Sequence, residues 1–275
     1  MEEITLRNTA SDGQPLEARF APGMGMNLLS FSKGSIQVLD QSTKALFDER
    51  FAGLGALIGP HFHHRNESWI PPIKDESLFP HIARVKAKGI KEPFSHGIAR
   101  YASWKVEKQS ATRLKGRLSG KDEWNGVPLA QLEGQNFTYD FSAELTPRGL
   151  DIDLAVVSDT DSVVGIHYYY AVPRGTGTVH SSIRKDGKDE KLSYDFQKGI
   201  DQNFHSSNPL EGIIVYDAGD YRVTTLYQSP SQENSWQLYH PEGASFVCIE
   251  PLSAKNPRHP VLTASSLKIQ IEIVT

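Results

Sequence analysis

Hydrophobic positions recur at every second residue along much of this chain. In NFTYDFSAEL (136–145), Phe137, Tyr139, Phe141, Ala143 and Leu145 share one face. After the turn Thr146-Pro147-Arg148-Gly149, Ile152, Leu154 and Val156 continue in phase. Successive strand side chains point to opposite faces, so the two segments predict a β-hairpin with one buried face. LKIQIEIV near the C-terminus sets Leu267, Ile269, Ile271 and Ile273 on one side and predicts another half-buried strand. Weaker alternation predicts strands at 3–7, 16–20, 36–39, 104–107, 113–118, 163–172, 177–183, 213–216, 222–227 and 236–240. A short helix fits 43–51. The stretch 53–93 carries Pro60, Pro71, Pro72, Pro80 and Pro93 and reads as long loops. Many short strands between turn residues predict an all-β fold, a large antiparallel β-sandwich. With no repeat or linker, residues 1–275 are expected to form one domain.

Composition narrows the classes. The chain has 275 residues, 38% hydrophobic and 23% charged, which suits a globular protein rather than a disordered one. A net charge of −4 with mixed signs lacks the basic footprint of a nucleic-acid binder. There is a single cysteine, Cys248, so no intrachain disulfide can form, which favours a reducing compartment. No export signal opens the sequence and no apolar run nears the roughly 18 residues of a membrane span. The expectation is a cytoplasmic protein without membrane partners, a monomer or homodimer.

Four places concentrate polar groups beside predicted strands. GPHFHHRNESW (59–69) holds His61, His63, His64 and Arg65; FSHGIARYASW (94–104) holds His96 and Arg100; VVGIHYYYAVP (163–173) holds His167; SFVCIEPLSAKNP (245–257) holds Glu250. The spacing His-x-His-His matches no standard zinc pattern and no cysteine accompanies it. That loop therefore reads as a polar pocket rim, and no metal is expected. His167 lies in an apolar, aromatic strand with Tyr169 on its face and Ile166, Tyr168 and Tyr170 on the other. A lone strand histidine is more often a hydrogen-bonded core residue than a catalyst. Alternation puts Phe246, Cys248 and Glu250 on one face, with Pro251 expected to end the strand and leave the carboxylate at a pocket mouth. By itself Glu250 is equally a structural carboxylate paired with a buried arginine or a catalytic group. Cys248, mid-strand and apolar in setting, reads as a small hydrophobe rather than a nucleophile.

Together these segments resemble the aldose 1-epimerase (galactose mutarotase-like) family, in the expected order over most of the chain. APGMGMNLLSFSKGSIQVLD resembles its opening strands, and ALIGPHFHHRN stands at its Pro-rich, Asn-Arg segment. SHGIARYASWKV resembles its His-Gly-Phe-Ala-Arg…Trp segment, GIHYYYAV its His-Pro-Tyr-Phe strand and KGIDQNF its Leu-Asp-x-x-Phe stretch. FVCIEP is similar to its C-terminal Val-Cys-Ile/Val-Glu-Pro strand, the most specific of these motifs. The resemblance implies a β-supersandwich in which Glu250 is the general base, His167 the general acid and His96 a sugar-binding residue. Arg65 and Asp201 would hold sugar hydroxyls. It implies a monosaccharide or sugar-phosphate substrate and neither metal nor organic cofactor.

Mutarotation suits these residue types. A base takes the anomeric hydroxyl proton while an acid protonates the ring oxygen as the ring opens. Two alternatives stand beside an epimerase of free aldoses. One is a hexose-6-phosphate 1-epimerase, in which Arg65, Arg100 and Arg174 would grip the phosphate. The other is a carbohydrate-binding module that kept the fold and lost turnover.

Overall fold

The two strongest alternating segments lie side by side with a third at the centre of the largest sheet. In the computed structural model, which describes residues 3–64 and 66–275, nine antiparallel strands form this sheet. Its middle is Phe137–Thr146, Gly149–Ser158 and Ala264–Val274, with Phe141 opposite Leu154 and Leu154 opposite Leu267. The predicted hairpin turns through Pro147-Arg148, pairing Thr146 with Gly149. Phe137, Tyr139, Phe141, Ala143 and Leu145 are all buried, so one phase of each strand forms the core face.

A six-stranded sheet packs on this face. Its path runs Ile200–Phe204, Ser235–His240, Phe246–Leu252, Gly165–Ile166 and Leu57–Ile58, with Tyr168–Ala171 also paired to Phe246–Leu252. Trp236, Leu238, Val247, Ile249, Tyr168 and Tyr170 point inward and share one apolar cluster with the residues of the large sheet. Each such buried side chain contributes roughly 1.5–3 kcal/mol of transfer free energy. Polar tips stitch the layers together. The Tyr170 hydroxyl lies 3.0 Å from Thr225 Oγ1, Tyr216 donates to the Ala171 carbonyl at 2.6 Å, and Tyr139 donates to that of Ile58 at 2.9 Å. A four-stranded sheet from Ile4–Thr9, Pro15–Ala21, Asn27–Lys33 and Ile36–Gln37 covers one end, and its Leu6, Phe20 and Phe31 enter the same cluster. The all-β antiparallel sandwich expected from the alternation is therefore the observed architecture.

The helix expected at 43–51 forms over Lys44–Arg50 and stops where Phe51 takes a left-handed φ of 58°. The segment read as long loops holds more order than expected. Pro80–Ala87 is a helix with proline in its first turn, where a missing N–H costs nothing, and it buries His81, Ile82 and Val85. Its brevity and charged outer face kept its period out of view. The predicted strand 163–172 is interrupted at His167, whose N–H donates to the Ala56 carbonyl at 2.8 Å. Pro251 does not end its strand, which continues to Leu252. Among the described residues, no helix is long and apolar enough to cross a membrane.

A candidate acid–base site on the six-stranded sheet

One face of the six-stranded sheet is core and the other is chemistry. Along Phe246–Leu252, Val247 and Ile249 join the core cluster, so Cys248 and Glu250 project from the opposite face. Register then brings neighbours to them. Glu250 lies opposite Gln237, and Cys248 lies opposite both Tyr239 and Tyr169. Asp201 lies opposite Tyr239 on the next strand. His167, at the break between Gly165–Ile166 and Tyr168–Ala171, points the same way. Its Nδ1 is 3.0 Å from Glu250 Oε1, and the two side chains are only 4% and 5% exposed. The pair therefore sits on the floor of a cavity of about 570 Å³, not at its mouth.

Cys248 completes the floor in a way that apolar packing alone does not describe. It is fully buried, and its Sγ donates to Glu250 Oε1 at 3.3 Å and lies 3.6 Å from His167 Nδ1. Burial, reinforced by the Glu250 carboxylate, pushes the thiol pKa well above its ordinary value, so it stays a protonated donor rather than a nucleophile. Tyr169 lines the same cavity, and burial likewise holds it as a neutral phenol. Among the described residues, His167 Nε2 is buried without a hydrogen-bond partner. A buried polar atom left unpaired is costly, and at a cavity floor it marks a position a ligand can satisfy.

His96 forms the wall. Its ring stacks on His167 with centroids 5.0 Å apart and packs against Phe62 at 4.4 Å. The backbone there is unusual: His96 has φ 69° and Gly97 φ 85°. The turn is locked by Gly59 N–H on the His96 carbonyl and His96 N–H on the Phe62 carbonyl, both 2.9 Å. Desolvation, then the nearby Arg100 guanidinium, holds the His96 pKa well below its ordinary value. His96 is therefore neutral near pH 7 and serves as a hydrogen-bonding group rather than a charge.

The remaining residues singled out by sequence fall as follows. Asp201 lines the cavity and accepts from Gln237 Nε2 at 2.5 Å. Arg100 is 5% exposed and does not line the cavity; its guanidinium lies over the Tyr101 ring, 5.3 Å from the centroid. Arg174 pairs with Asp220 on the surface. Arg65 lies outside the described residues. His63 lines the cavity and meets His96 edge to face at 4.6 Å. Three cations at the cavity escaped sequence reasoning: Arg50, Lys255 and Arg258. Among the described residues none of the three has a carboxylate partner. Lys255 and Arg258 stand in the loop directly after the Glu250 strand, a signal of proximity that was present in the sequence. Arg50 lines the cavity from the last position of its helix, which Phe51 ends.

No protein-family model matches the chain, and no curated protein matches it by sequence. Solved structures do match over nearly the full length. A galactose mutarotase-like protein from Lactobacillus casei superposes with a TM-score of 0.66 at 14% identity, covering 99% of this chain and 100% of its own. A second, from Clostridium acetobutylicum, gives 0.63 at 13%, covering 98% of each chain. The chain has the galactose mutarotase-like fold. An aldose epimerase homologue from C. elegans, at TM-score 0.60 and 11% identity over 99% of both chains, shares this fold. The fold expected from the FVCIEP and HGIAR segments is thus the one observed, at identities where only architecture is shared. Function has to be argued from the site.

Proposed function

We propose that this chain is an aldose 1-epimerase, interconverting the α and β anomers of a sugar by acid–base ring opening. The observation that carries the reading is the pairing of Glu250 and His167, 3.0 Å apart on the floor of one cavity walled by His96. The anomeric hydroxyl and the ring oxygen are bonded to the same carbon, so a base and an acid must act side by side. Glu250 takes the proton from the anomeric hydroxyl. The carbonyl forms as the bond from the anomeric carbon to the ring oxygen breaks, and that electron pair leaves on the ring oxygen. His167 protonates the ring oxygen through Nε2, its other ring nitrogen being held by Glu250. Rotation about the next carbon–carbon bond and closure with the roles reversed gives the other anomer. Cys248 and the neutral His96 orient the pair, and Asp201 with Gln237 offers a polar edge for hydroxyls. Phe62 and Tyr169 supply apolar surface for the sugar ring.

A second reading is favoured by a specific observation. Arg50, Lys255 and Arg258 bring to this cavity three cations that have no carboxylate partner among the described residues, which suits a sugar 6-phosphate. Anomer exchange followed by NMR, with free aldoses and hexose 6-phosphates in parallel, tests both. The expected result is exchange faster than in buffer for one class, falling by about 10²–10⁴ in Glu250→Gln, the span that a general base contributes. Full activity in the variant, or no sugar exchanging faster than in buffer, overturns the proposal.

A further inference from the structure

Beside the acid–base site the fold gathers a second set of ligating side chains. His61, His63 and His64, from the loop after Leu57–Ile58, all converge on one carboxylate, Glu92, about thirty residues later. His61 Nε2 is 2.9 Å from Glu92 Oε1, His63 Nδ1 is 2.8 Å from Oε2, and His64 Nδ1 contacts Oε1. The other nitrogen of His61 is held at 2.6 Å by Glu133 Oε1, a side chain with no solvent exposure. Glu133 is fixed in turn by the Ile98 N–H, which donates to its Oε2 at 2.9 Å.

We propose that His61 Nε2, His64 Nδ1 and the Glu92 carboxylate bind one divalent transition-metal ion of the zinc class. Three arguments support this. First, the donor set is two imidazoles and a carboxylate, the kind that open zinc sites use, and the three ligand atoms lie within 4.8 Å of one another. Secondly, the surroundings form an outer shell. A metal-bound histidine commonly gives its second N–H to a carboxylate, as His61 does to Glu133. The Glu92 oxygens are held by His63 and, at 3.0 Å, by the His64 backbone N–H. Thirdly, there is an entry path. His61, His64 and Glu133 line a separate cavity of about 480 Å³ with Trp69 on its rim, while the ligand side chains are only 11%, 14% and 12% exposed. Ligand atoms around a tetrahedral zinc are roughly 3.3 Å apart. Both rings contact Glu92 Oε1, His61 Nε2 at 2.9 Å, so each must draw back from that oxygen by less than about 1 Å to admit the ion. A bound ion would tie the 61–64 loop to Glu92 and, through His63 against His96, fix the wall of the neighbouring acid–base cavity.

The test is Zn²⁺ titration of the purified, chelator-stripped full chain, with Co²⁺ as a spectroscopic substitute. The wild type is expected to bind one Zn²⁺ per chain and to unfold at higher temperature with it. His64→Ala and Glu92→Gln should each weaken binding at least tenfold and lose the thermal shift. A second candidate set, His167, Cys248 and Glu250, lies in the acid–base site and is separated by Cys248→Ala, which should keep full affinity. The Co²⁺ form should show tetrahedral visible bands without thiolate charge transfer. No Zn²⁺ uptake by the wild type, equal affinity in His64→Ala and Glu92→Gln, or a thiolate band that disappears with Cys248→Ala would each overturn the assignment. The epimerase reading is independent of the outcomes at His64 and Glu92, whereas a thiolate band lost in Cys248→Ala would put the ion on His167 and Glu250 and count against that reading as well.

Discussion

Gly97 is the residue on which the His96 wall turns, and Gly97→Ala has a cost that can be worked from the structure. At φ 85°, a Cβ built there would stand 2.0 Å from the Gly59 carbonyl oxygen and 2.2 Å from its carbon. Ordinary contact begins near 3.4 Å, so the two backbones would have to part by roughly 1.4 Å. That carbonyl cannot yield cheaply. It accepts from the Ala99 N–H at 3.0 Å, and the Gly59 N–H donates to the His96 carbonyl at 2.9 Å. Leaving both bonds unmade costs about 1–3 kcal/mol each. With ψ 159° beside φ 85°, Gly97 occupies a region that essentially only glycine enters, and holding alanine there costs about 1–3 kcal/mol more. The sum is about 3–9 kcal/mol, a large part of the about 5–15 kcal/mol that stabilises an ordinary domain. Gly13 is the control, sharing the positive φ of 85° but with nothing within 4 Å of the added carbon. Gly13→Ala should therefore cost only the conformational part, about 1 kcal/mol. Urea unfolding followed by tryptophan fluorescence gives both numbers, with an unchanged m-value as the check on comparability. Gly97→Ala should also misplace His96 and depress anomer exchange, which Gly13→Ala should not. Free energies for the two variants within about 1 kcal/mol of each other would refute the claim that the backbone interlock at Gly59 holds this wall.

Two further outcomes are expected. His81 is buried against Trp124 and gives its ring N–H to the Pro93 carbonyl, and burial lowers its pKa from 6.5 to about 4. The unfolded chain binds this proton first, so the contribution of His81 is intact above about pH 6.5 and falls away as the pH drops towards 4. The loss reaches at most about 3 kcal/mol, and urea midpoints from pH 7.5 to 4.5 should fall less steeply in His81→Gln than in the wild type. Equal slopes would count against it. Asp201→Asn removes the charge that accepts from Gln237 at the cavity edge. It should raise KM about 10–100-fold with kcat nearly unchanged, as expected for a charged hydrogen bond to bound sugar. A fall in kcat with unaltered KM would show that Asp201 acts on the chemistry instead.

Period-two alternation is a property of the backbone, and by itself it determined the all-β class, the 136–156 hairpin and the phase of each strong strand. It also determined which way Glu250, Cys248, His167 and Tyr169 point, because a strand with one face in the core leaves the other no choice. Segments without an apolar phase stayed hidden. Lys188–Tyr194 is a polar edge strand, and the Pro80–Ala87 helix shows barely two turns of period. What only the tertiary structure decided was distance. Strand register set Glu250 beside His167 across 83 positions of sequence, and the turn at Gly97 laid His96 over the His167 ring. Packing buried Arg100 away from the cavity while a helix end and a loop delivered Arg50, Lys255 and Arg258 to it. In the same way His61, His63 and His64, too sparse a pattern to signify a metal in one loop, met Glu92 and Glu133 from elsewhere in the chain. Strand direction is local and is written in neighbouring residues. The convergence of distant side chains depends on how sheets and loops close on one another, and no local pattern carries it.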